Sequence, residues 1–173
     1  MRSRITAILL GGLLLTGGVQ AQQSIPPVHP QYTAMLDAMS ASVKGRVLVF
    51  APTISDLTMA DILRQTALDT IRKTNVRIVT IPYYNYTAKS AILGLALANV
   101  PVYEVQTSSI EAIVIVDNQG WRGRGLGTLA NPTMKPMTIE EINSILTWFK
   151  NVTAKTKRMS QVEAFTRIKQ VLK

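Results

Sequence analysis

Side chains that carry covalent or metal chemistry are scarce in this 173-residue sequence. There is no cysteine, so thiolate zinc sites, iron–sulfur clusters, disulfides and cysteine nucleophiles are excluded. The single histidine, His29, stands in a proline-rich stretch, and we interpret it as a solvated linker residue. No phosphate-loop, serine-hydrolase or zinc-protease motif is present either. The sequence therefore predicts no cofactor, no metal and no recognisable catalytic residue.

A glycine-rich segment offers the chemistry of binding instead. It runs Trp121-Arg122-Gly123-Arg124-Gly125, and its composition favours a loop. Arginine forks hold phosphate oxygens, glycine lets a backbone approach a ligand closely, and an indole face stacks on a base. The alternative is a flexible solvated turn. Trp121, Arg122 and Arg124 are therefore candidate binding residues.

The segment 150–173 is the second concentration of positive charge, in a chain whose net charge is +9. Clustered cations on a helix can meet DNA phosphates, anionic lipid headgroups or an acidic partner. A solvated helix face is the alternative, and Lys155, Lys157 and Arg158 are the candidate contacts. The basic residues of the segment are Lys150, Lys155, Lys157, Arg158, Arg167, Lys169 and Lys173, against the one acid Glu163.

Two weaker candidates lie near predicted strands. The cluster Tyr83-Tyr84-Asn85-Tyr86 has the aromatic rings needed to stack bases at a sheet edge, with rim packing as the favoured alternative. Glu111 and Asp117 offer two carboxylates along one strand, which would allow a residual metal-assisted activity. Because Asp117 precedes Asn-Gln-Gly, however, we favour its interpretation as a turn former.

Alternating apolar runs and amphipathic segments predict an α/β domain with a mixed or mostly parallel sheet flanked by helices. Capping boxes, Thr138 to Glu141 and Ser160 to Glu163, mark the starts of two C-terminal helices. The segment 87–98 is apolar almost all round, which favours a helix that is buried or at an interface. Strands are predicted over 46–51, 76–84, 100–105 and 112–116, with further helices over 31–43 and 57–74.

The N-terminal residues have the pattern of a secretory signal peptide. Arg2 and Arg4 precede the uncharged apolar run 5–16, and small residues lead to a cleavage site after Ala21. The apolar run is shorter than the ~20 residues that a membrane span requires. We therefore expect export to the periplasm or beyond. Residues 22–43 would then form an extended leader and a short helix, and 44–173 a single α/β domain.

The order of these elements resembles the single-motif members of the phospholipase D superfamily, which include small secreted nucleases that work as dimers. The similarity spans residues 45–130 and rests on hydrophobic spacing. It is carried by Val47-Leu48-Val49-Phe50-Ala51-Pro52, Asn75-Val76-Arg77-Ile78-Val79, Ala98-Asn99-Val100-Pro101-Val102-Tyr103 and Ile113-Val114-Ile115-Val116-Asp117. A thioredoxin-like envelope protein has a similar order of elements, but its Cys-x-x-Cys is missing here.

The resemblance implies a degenerate site. In the family, His-x-Lys-x4-Asp supplies the nucleophilic histidine and a lysine that holds phosphate oxygens, aided by the asparagine of Gly-Ser-x-Asn. Here Asp117 matches the aspartate, but Ile110 and Ala112 stand at the histidine and lysine positions. Residues 123–127 replace Gly-Ser-x-Asn. The loss of nucleophile and clamp removes the covalent route and most of the electrostatic stabilisation.

These observations lead to two hypotheses of different classes. The first is an exported, non-enzymatic binder of a polyanion in the cell envelope, with DNA favoured over anionic lipid. The second is a protein-interaction component of an envelope secretion or conjugation assembly. The apolar helix 87–98 would allow such a protein to form a homodimer. Residual phosphodiesterase activity is the least favoured alternative.

Overall fold

The computed structural model describes residues 29–82, 89–128 and 132–171. The predicted signal peptide and the Tyr83–Tyr86 cluster lie outside the described residues. Among the described residues, no helix combines the length and the apolar character needed to cross a membrane. The elements, in chain order, are α1 (Pro30–Ala41), β1 (Arg46–Phe50), α2 (Leu57–Leu68), β2 (Asn75–Thr80), α3 (Ile92–Leu97), β3 (Val102–Glu104), β4 (Ala112–Val116), β5 (Gln119–Gly123), β6 (Lys135–Pro136), α4 (Ile139–Lys155) and α5 (Gln161–Val171).

The six strands form one mixed sheet in the order β3-β2-β1-β4-β5-β6. Strands β1, β2 and β3 are parallel, whereas β4, β5 and β6 join by antiparallel pairing. Two names refer to the ends of the strands and not to the outer strands of the sheet. The carboxyl edge is the end at which β1, β2 and β3 finish and β4 begins. The amino edge is the opposite end, at which β1 and β2 begin. The predicted α/β class with a mixed sheet flanked by helices is confirmed.

One face of the sheet packs against α1, α2, α3 and α5. Its core is built from alternate strand residues such as Val49, Ile78 and Val114, because successive side chains of a strand point to opposite faces. Helix α1 joins this core through Tyr32, Met35 and Met39, all of them buried. His29 begins this helix by accepting the backbone N–H of Gln31 at its Nδ1, 3.3 Å away. It is therefore a helix cap and not the solvated linker residue that the sequence suggested.

Of the described helices, α4 is the one that packs against the other face. Leu48, Phe50, Val79 and Ile115 meet the helix residues Ile142 and Phe149. The capping box predicted at Thr138 is confirmed, since the Glu141 carboxylate accepts the Thr138 N–H at 2.8 Å and the Thr138 hydroxyl accepts the Glu141 N–H at 3.3 Å. Helix α4 therefore has a defined starting point from which it crosses the sheet from β5 towards β3.

Three helices differ from the sequence prediction. Helix α2 ends at Leu68 because the Asp69 carboxylate accepts the N–H groups of Ile71 and Arg72, both at 2.9 Å, and starts a turn. Helical spacing in the sequence puts Val162 and Phe165 on one apolar face of α5, but they are 76% and 48% exposed, and the helix buries Ala164 instead. Helix α3 has only six residues and packs against α5 and α2. Its buried residues are Ile92, Leu93, Leu95 and Ala96, which fits the buried alternative for this segment, and the homodimer stays a prediction.

Candidate functional site

A cavity of about 240 Å³ opens at the carboxyl edge of the sheet. It forms where the loop after β1 meets the loop after β5: the N–H groups of Ser55 and Asp56 donate to the Gly127 carbonyl at 2.8 and 2.9 Å. Gly127 has φ +81°, a conformation that glycine adopts without strain. The described lining contains no ionisable side chain: Pro52, Thr53, Ile110, Ala112, Gly125, Leu126 and Thr128.

The two positions that the resemblance aligns with histidine and lysine both line this cavity. Ile110 lies in the connection before β4 and is about half exposed, and Ala112 begins β4 and is buried. Neither side chain has an atom that can attack phosphorus or bind a phosphate oxygen. The cavity therefore supplies shape and apolar surface at this edge, and the polar chemistry of the molecule lies elsewhere.

A buried phenol holds the rim of this cavity in place. The Tyr32 hydroxyl donates to the Asp56 carboxylate, which also accepts the N–H groups of Thr58 and Met59 at the start of α2. Burial raises the pKa of Tyr32 well above its usual range, and the hydrogen bond to Asp56 and its negative charge raise this pKa further. Helices α1 and α2 are thereby joined through a neutral phenol and a carboxylate.

Asp117 lies at the amino edge and has a structural role. It occupies the two-residue turn between β4 and β5 with φ +53°. Its carboxylate accepts the Arg46 N–H at 2.8 Å and the Ser42 hydroxyl at 3.2 Å. Glu111 precedes β4 at the carboxyl edge, roughly 20 Å away along the strand. The sequence-based pairing of these two carboxylates is therefore wrong, and the turn interpretation of Asp117 is confirmed.

The segment 121–125 is half strand, and this separates its candidate binding residues. Trp121 and Arg122 belong to β5 and point to opposite faces of the sheet. Trp121 is 9% exposed and packs in the core, so its indole has no free face for a base, contrary to the stacking role suggested by the sequence. Arg122 lies on the α4 face, where its Nη2 pairs with Glu141 Oε1 at 2.9 Å.

The glycine that follows has a contact within the chain. Gly123 lies against Thr133, so closely that a Cβ at this position would overlap the Thr133 carbonyl oxygen. The missing side chain of Gly123 therefore makes room for the backbone of the segment that leads into β6. Arg124 is exposed and makes no ion pair within the described part of the chain. Its role as a binding residue stays a prediction.

The basic C-terminal residues do not form one surface. Arg158 donates to the carbonyl and side-chain oxygens of Asn99, both at 2.7 Å, and Arg167 pairs with Glu104 and Glu163. Lys155 ends α4 and Lys157 follows it; both are exposed. The Tyr103–Arg158 bridge places this region beside β3, about 19 Å of strand spacing from β5. The candidates from the two segments therefore lie at opposite sides of the sheet.

A second cavity, of about 290 Å³, lies at the amino edge between the sheet and α4. Its basic lining residues are Arg46 at the start of β1, Arg77 in β2 and Lys150 in α4. Sequence reasoning did not single out this group. The sequence feature that could have indicated it is Arg77, the one charged residue within the predicted strand. The strand register that brings Arg77 close to Arg46 depends on the tertiary structure.

Metal chemistry receives no support from the described residues, in which no group of three His, Asp or Glu side chains is close enough to hold an ion. The paired Glu111 and Asp117 hypothesis was the only candidate from the sequence, and its two carboxylates lie at opposite ends of β4.

Comparison with known proteins bears on the fold. No protein-family model matches the sequence, and no curated protein matches it significantly. Among solved structures, the chain is similar to Nuc from Salmonella typhimurium, a phospholipase D family member, with a TM-score of 0.60 and 17% sequence identity. The match covers 78% of this chain and 95% of that chain. The chain therefore has a phospholipase D-like fold, which replaces the thioredoxin-like alternative.

Proposed function

We propose that this protein is an exported, non-enzymatic nucleic-acid binder built on a phospholipase D-like fold. The observation that carries the proposal is a group of basic side chains at the amino edge, none of which pairs with a carboxylate of the described residues. Phosphate neutralisation by such cations supplies most of the affinity of non-specific DNA binding. The group consists of Lys44, Arg46, Lys73, Arg77 and Lys150.

The carboxyl edge supports the non-enzymatic part of the proposal. Phosphodiester transfer needs a nucleophile and preorganised charge around the phosphoryl group. The cavity at this edge presents Ile110 and Ala112, which supply neither. Its ionisable neighbour Asp56 is engaged in the start of α2 and in the contact to Tyr32. The described lining of this cavity therefore contains no side chain that could activate a bound phosphodiester.

DNA binding without cleavage is the expected result. We expect the purified protein to bind labelled single- and double-stranded DNA. The logarithm of the association constant should fall linearly with the logarithm of the salt concentration. A slope of about −3 or steeper corresponds to several phosphate contacts at ~0.9 per phosphate on duplex DNA. Nicking of supercoiled plasmid, scored alongside with and without Mg²⁺, should stay at the level of a buffer control.

The same experiment separates the alternatives. Absence of DNA binding at low salt contradicts the proposal, and binding to phosphatidylglycerol vesicles instead would favour anionic lipid. Nicking above the buffer control contradicts the non-enzymatic assignment. Salt-insensitive binding would mean that apolar or base contacts, and not the cations of the amino edge, hold the DNA.

Export is supported by the pattern of residues 1–21. If the signal peptide is cleaved as the sequence predicts, protein recovered from the periplasm or the medium begins at Gln22. N-terminal sequencing or intact-mass measurement tests this directly. A mass that retains residues 1–21 would contradict cleavage, and recovery only in the cytoplasm would contradict export. Replacing Ala21 with a bulky residue should block processing and serves as the control.

A further inference from the structure

The cavity at the amino edge has a charge pattern that the fold does not explain. Arg46, Arg77 and Lys150 line it together with Asn75 and Thr147, and no carboxylate lines it. Asp117, in the turn after β4, uses its carboxylate to accept the Arg46 N–H and the Ser42 hydroxyl. Like charges gathered without a counterion repel one another, and such local conflicts are expected where a site serves function.

The hydrogen bonds of these residues hold the cations in place but leave donors unused. Arg77 donates from Nε to Asn75 Oδ1 at 3.1 Å and from Nη1 to Thr153 Oγ1 at 2.9 Å. Arg46 donates from Nε to the Asp117 carbonyl at 3.2 Å. Arg46 is thus held through Nε and Arg77 through Nε and Nη1, while their remaining N–H groups have no partner among the described residues. Lys150 Nζ has none there either.

The floor of the cavity is apolar. Leu48 and Phe149 are buried, and Leu146 is half-buried beside them. An anion held above such a floor interacts with the cations in a medium less screened than bulk water. The cavity volume of about 290 Å³ leaves room for a phosphate group and part of its hydration.

The turns that precede β1 and β2 place two further lysines at the amino edge. Lys44 precedes β1 and Lys73 precedes β2, and both adopt the left-handed conformation, with φ 55° and 53°. This conformation is uncommon for residues other than glycine and asparagine. The Lys44 N–H donates to the Arg72 carbonyl at 2.7 Å, so the two turns are held side by side. Two exposed lysines thereby lie at the amino edge, each two residues before the start of a strand, at Arg46 and Asn75.

We infer that the amino-edge cavity binds one phosphate group of a nucleic-acid backbone through Arg46, Arg77 and Lys150. Guanidinium forks suit the geometry of phosphate oxygens, and the ammonium of Lys150 adds a mobile charge from α4. The neighbouring phosphates of the same strand would meet Lys44 and Lys73. This inference rests on the proposed function for the identity of the phosphate, but the site itself is a claim about these residues alone.

The test compares two double variants of equal charge. Arg77→Gln with Lys150→Gln removes two cations of the cavity, and Lys135→Gln with Lys169→Gln removes two exposed cations on β6 and α5. We expect the cavity variant to weaken DNA binding at least tenfold and to flatten the salt slope by roughly 1–2, because each lost phosphate contact contributes ~0.9. The control pair should change affinity less than about twofold, since exposed charges are screened beyond ~8 Å.

Further arms protect the test against misfolding and identify the source of the phosphate. Lys150→Gln alone changes an exposed residue and should still weaken binding several-fold with an unchanged thermal melting temperature. Arg77→Lys keeps the charge but loses the fork, and we expect it to restore the salt slope and only part of the affinity. Inorganic phosphate should shift the backbone amide signals of Arg77 and Lys150 in NMR spectra of the unsubstituted protein.

Each outcome decides one of the two proposals. Equal losses in the cavity and control variants, or no phosphate-induced shift, overturn the cavity even if the protein binds DNA. A phosphate-induced shift in a protein that does not bind DNA supports the cavity and overturns the nucleic-acid function. Binding to phosphatidylglycerol vesicles that depends on Arg77 and Lys150, with DNA binding independent of them, would assign the phosphate to a lipid headgroup.

Discussion

Replacement of Tyr32 by alanine is expected to lower the free energy of unfolding by about 3–5 kcal/mol, as for other large buried side chains. Tyr32 is completely buried in the core between α1 and α2. Its removal leaves a cavity and also breaks the link from α1 to Asp56, on which the loop beside Gly127 depends. Chemical denaturation followed by tryptophan fluorescence measures this loss.

Replacement of Tyr32 by phenylalanine separates the hydrogen bond from the packing. We expect a smaller loss of about 1.5–3 kcal/mol, the range for a hydrogen bond to a charged group. Because the folded-state pKa of Tyr32 is raised, its stabilising contribution is fully present below the unfolded tyrosine pKa of about 10 and falls as pH rises above it. The slope approaches ~1.4 kcal/mol per pH unit in the unsubstituted protein.

The alkaline slope provides the internal control. All other titratable groups are common to both proteins, whereas the contribution of Tyr32 is absent from the phenylalanine variant. The difference between the two stability curves should therefore shrink as pH increases above about 10. A difference that stays constant from pH 7 to 11 would show that the Tyr32 hydroxyl is not held neutral by Asp56.

Replacement of Gly123 by alanine has the second largest expected effect. The new Cβ would overlap the Thr133 carbonyl oxygen and lie 2.6 Å from the Thr133 carbonyl carbon. Both are backbone atoms, so the clash is relieved only by moving the segment that leads into β6. We expect a loss of about 3 kcal/mol, at the upper end of the usual range for overpacked sites. Thermal unfolding monitored by circular dichroism provides the measurement.

Gly94 offers a matched glycine-to-alanine control. It lies within α3, and an added Cβ there meets nothing within 4 Å. Alanine is favoured over glycine inside a helix, so this variant should be more stable by roughly 0.5–1 kcal/mol. If both variants were stabilised alike, the close approach of Gly123 to Thr133 would be contradicted, and the segment would have the freedom that the sequence suggested for it.

The two edges of the sheet have different chemical character, and this bears on how the protein works. The carboxyl edge holds an apolar cavity bordered by Ile110 and Ala112, whereas the amino edge holds Arg46, Arg77 and Lys150 around a cavity without a carboxylate. The cluster of basic side chains and the apolar cavity therefore lie at opposite ends of the strands. A polyanion bound at the amino edge would leave the apolar cavity open.

Local patterns in the sequence were sufficient for much of the fold. The β-branched runs predicted β1, β2 and β4, and the start of α4 was predicted at Thr138, because strand periodicity and helix capping depend on residues only a few positions apart. The expectation of a sheet with helices on both faces followed from their alternation. Strand β5 was not predicted from the sequence. It spans Gln119–Gly123 and is followed at once by the glycine-rich turn, so the whole segment has the composition of a loop.

The candidate site depended on contacts between distant parts of the chain. Hydrophobic spacing does not specify which strands become neighbours or in what register, so the pairing of Leu48 with Arg77 could not be predicted. That parallel register places Arg77 near Arg46, and the crossing of α4 brings Lys150 over both. In the same way, the pairing of β5 with β4 decides that Trp121 lies in the core and that Arg122 lies beside Glu141. The sequence by itself determined strands β1, β2 and β4, the start of α4 and the scarcity of catalytic groups. The tertiary structure decided which charges share a surface, because only long-range packing sets their neighbours.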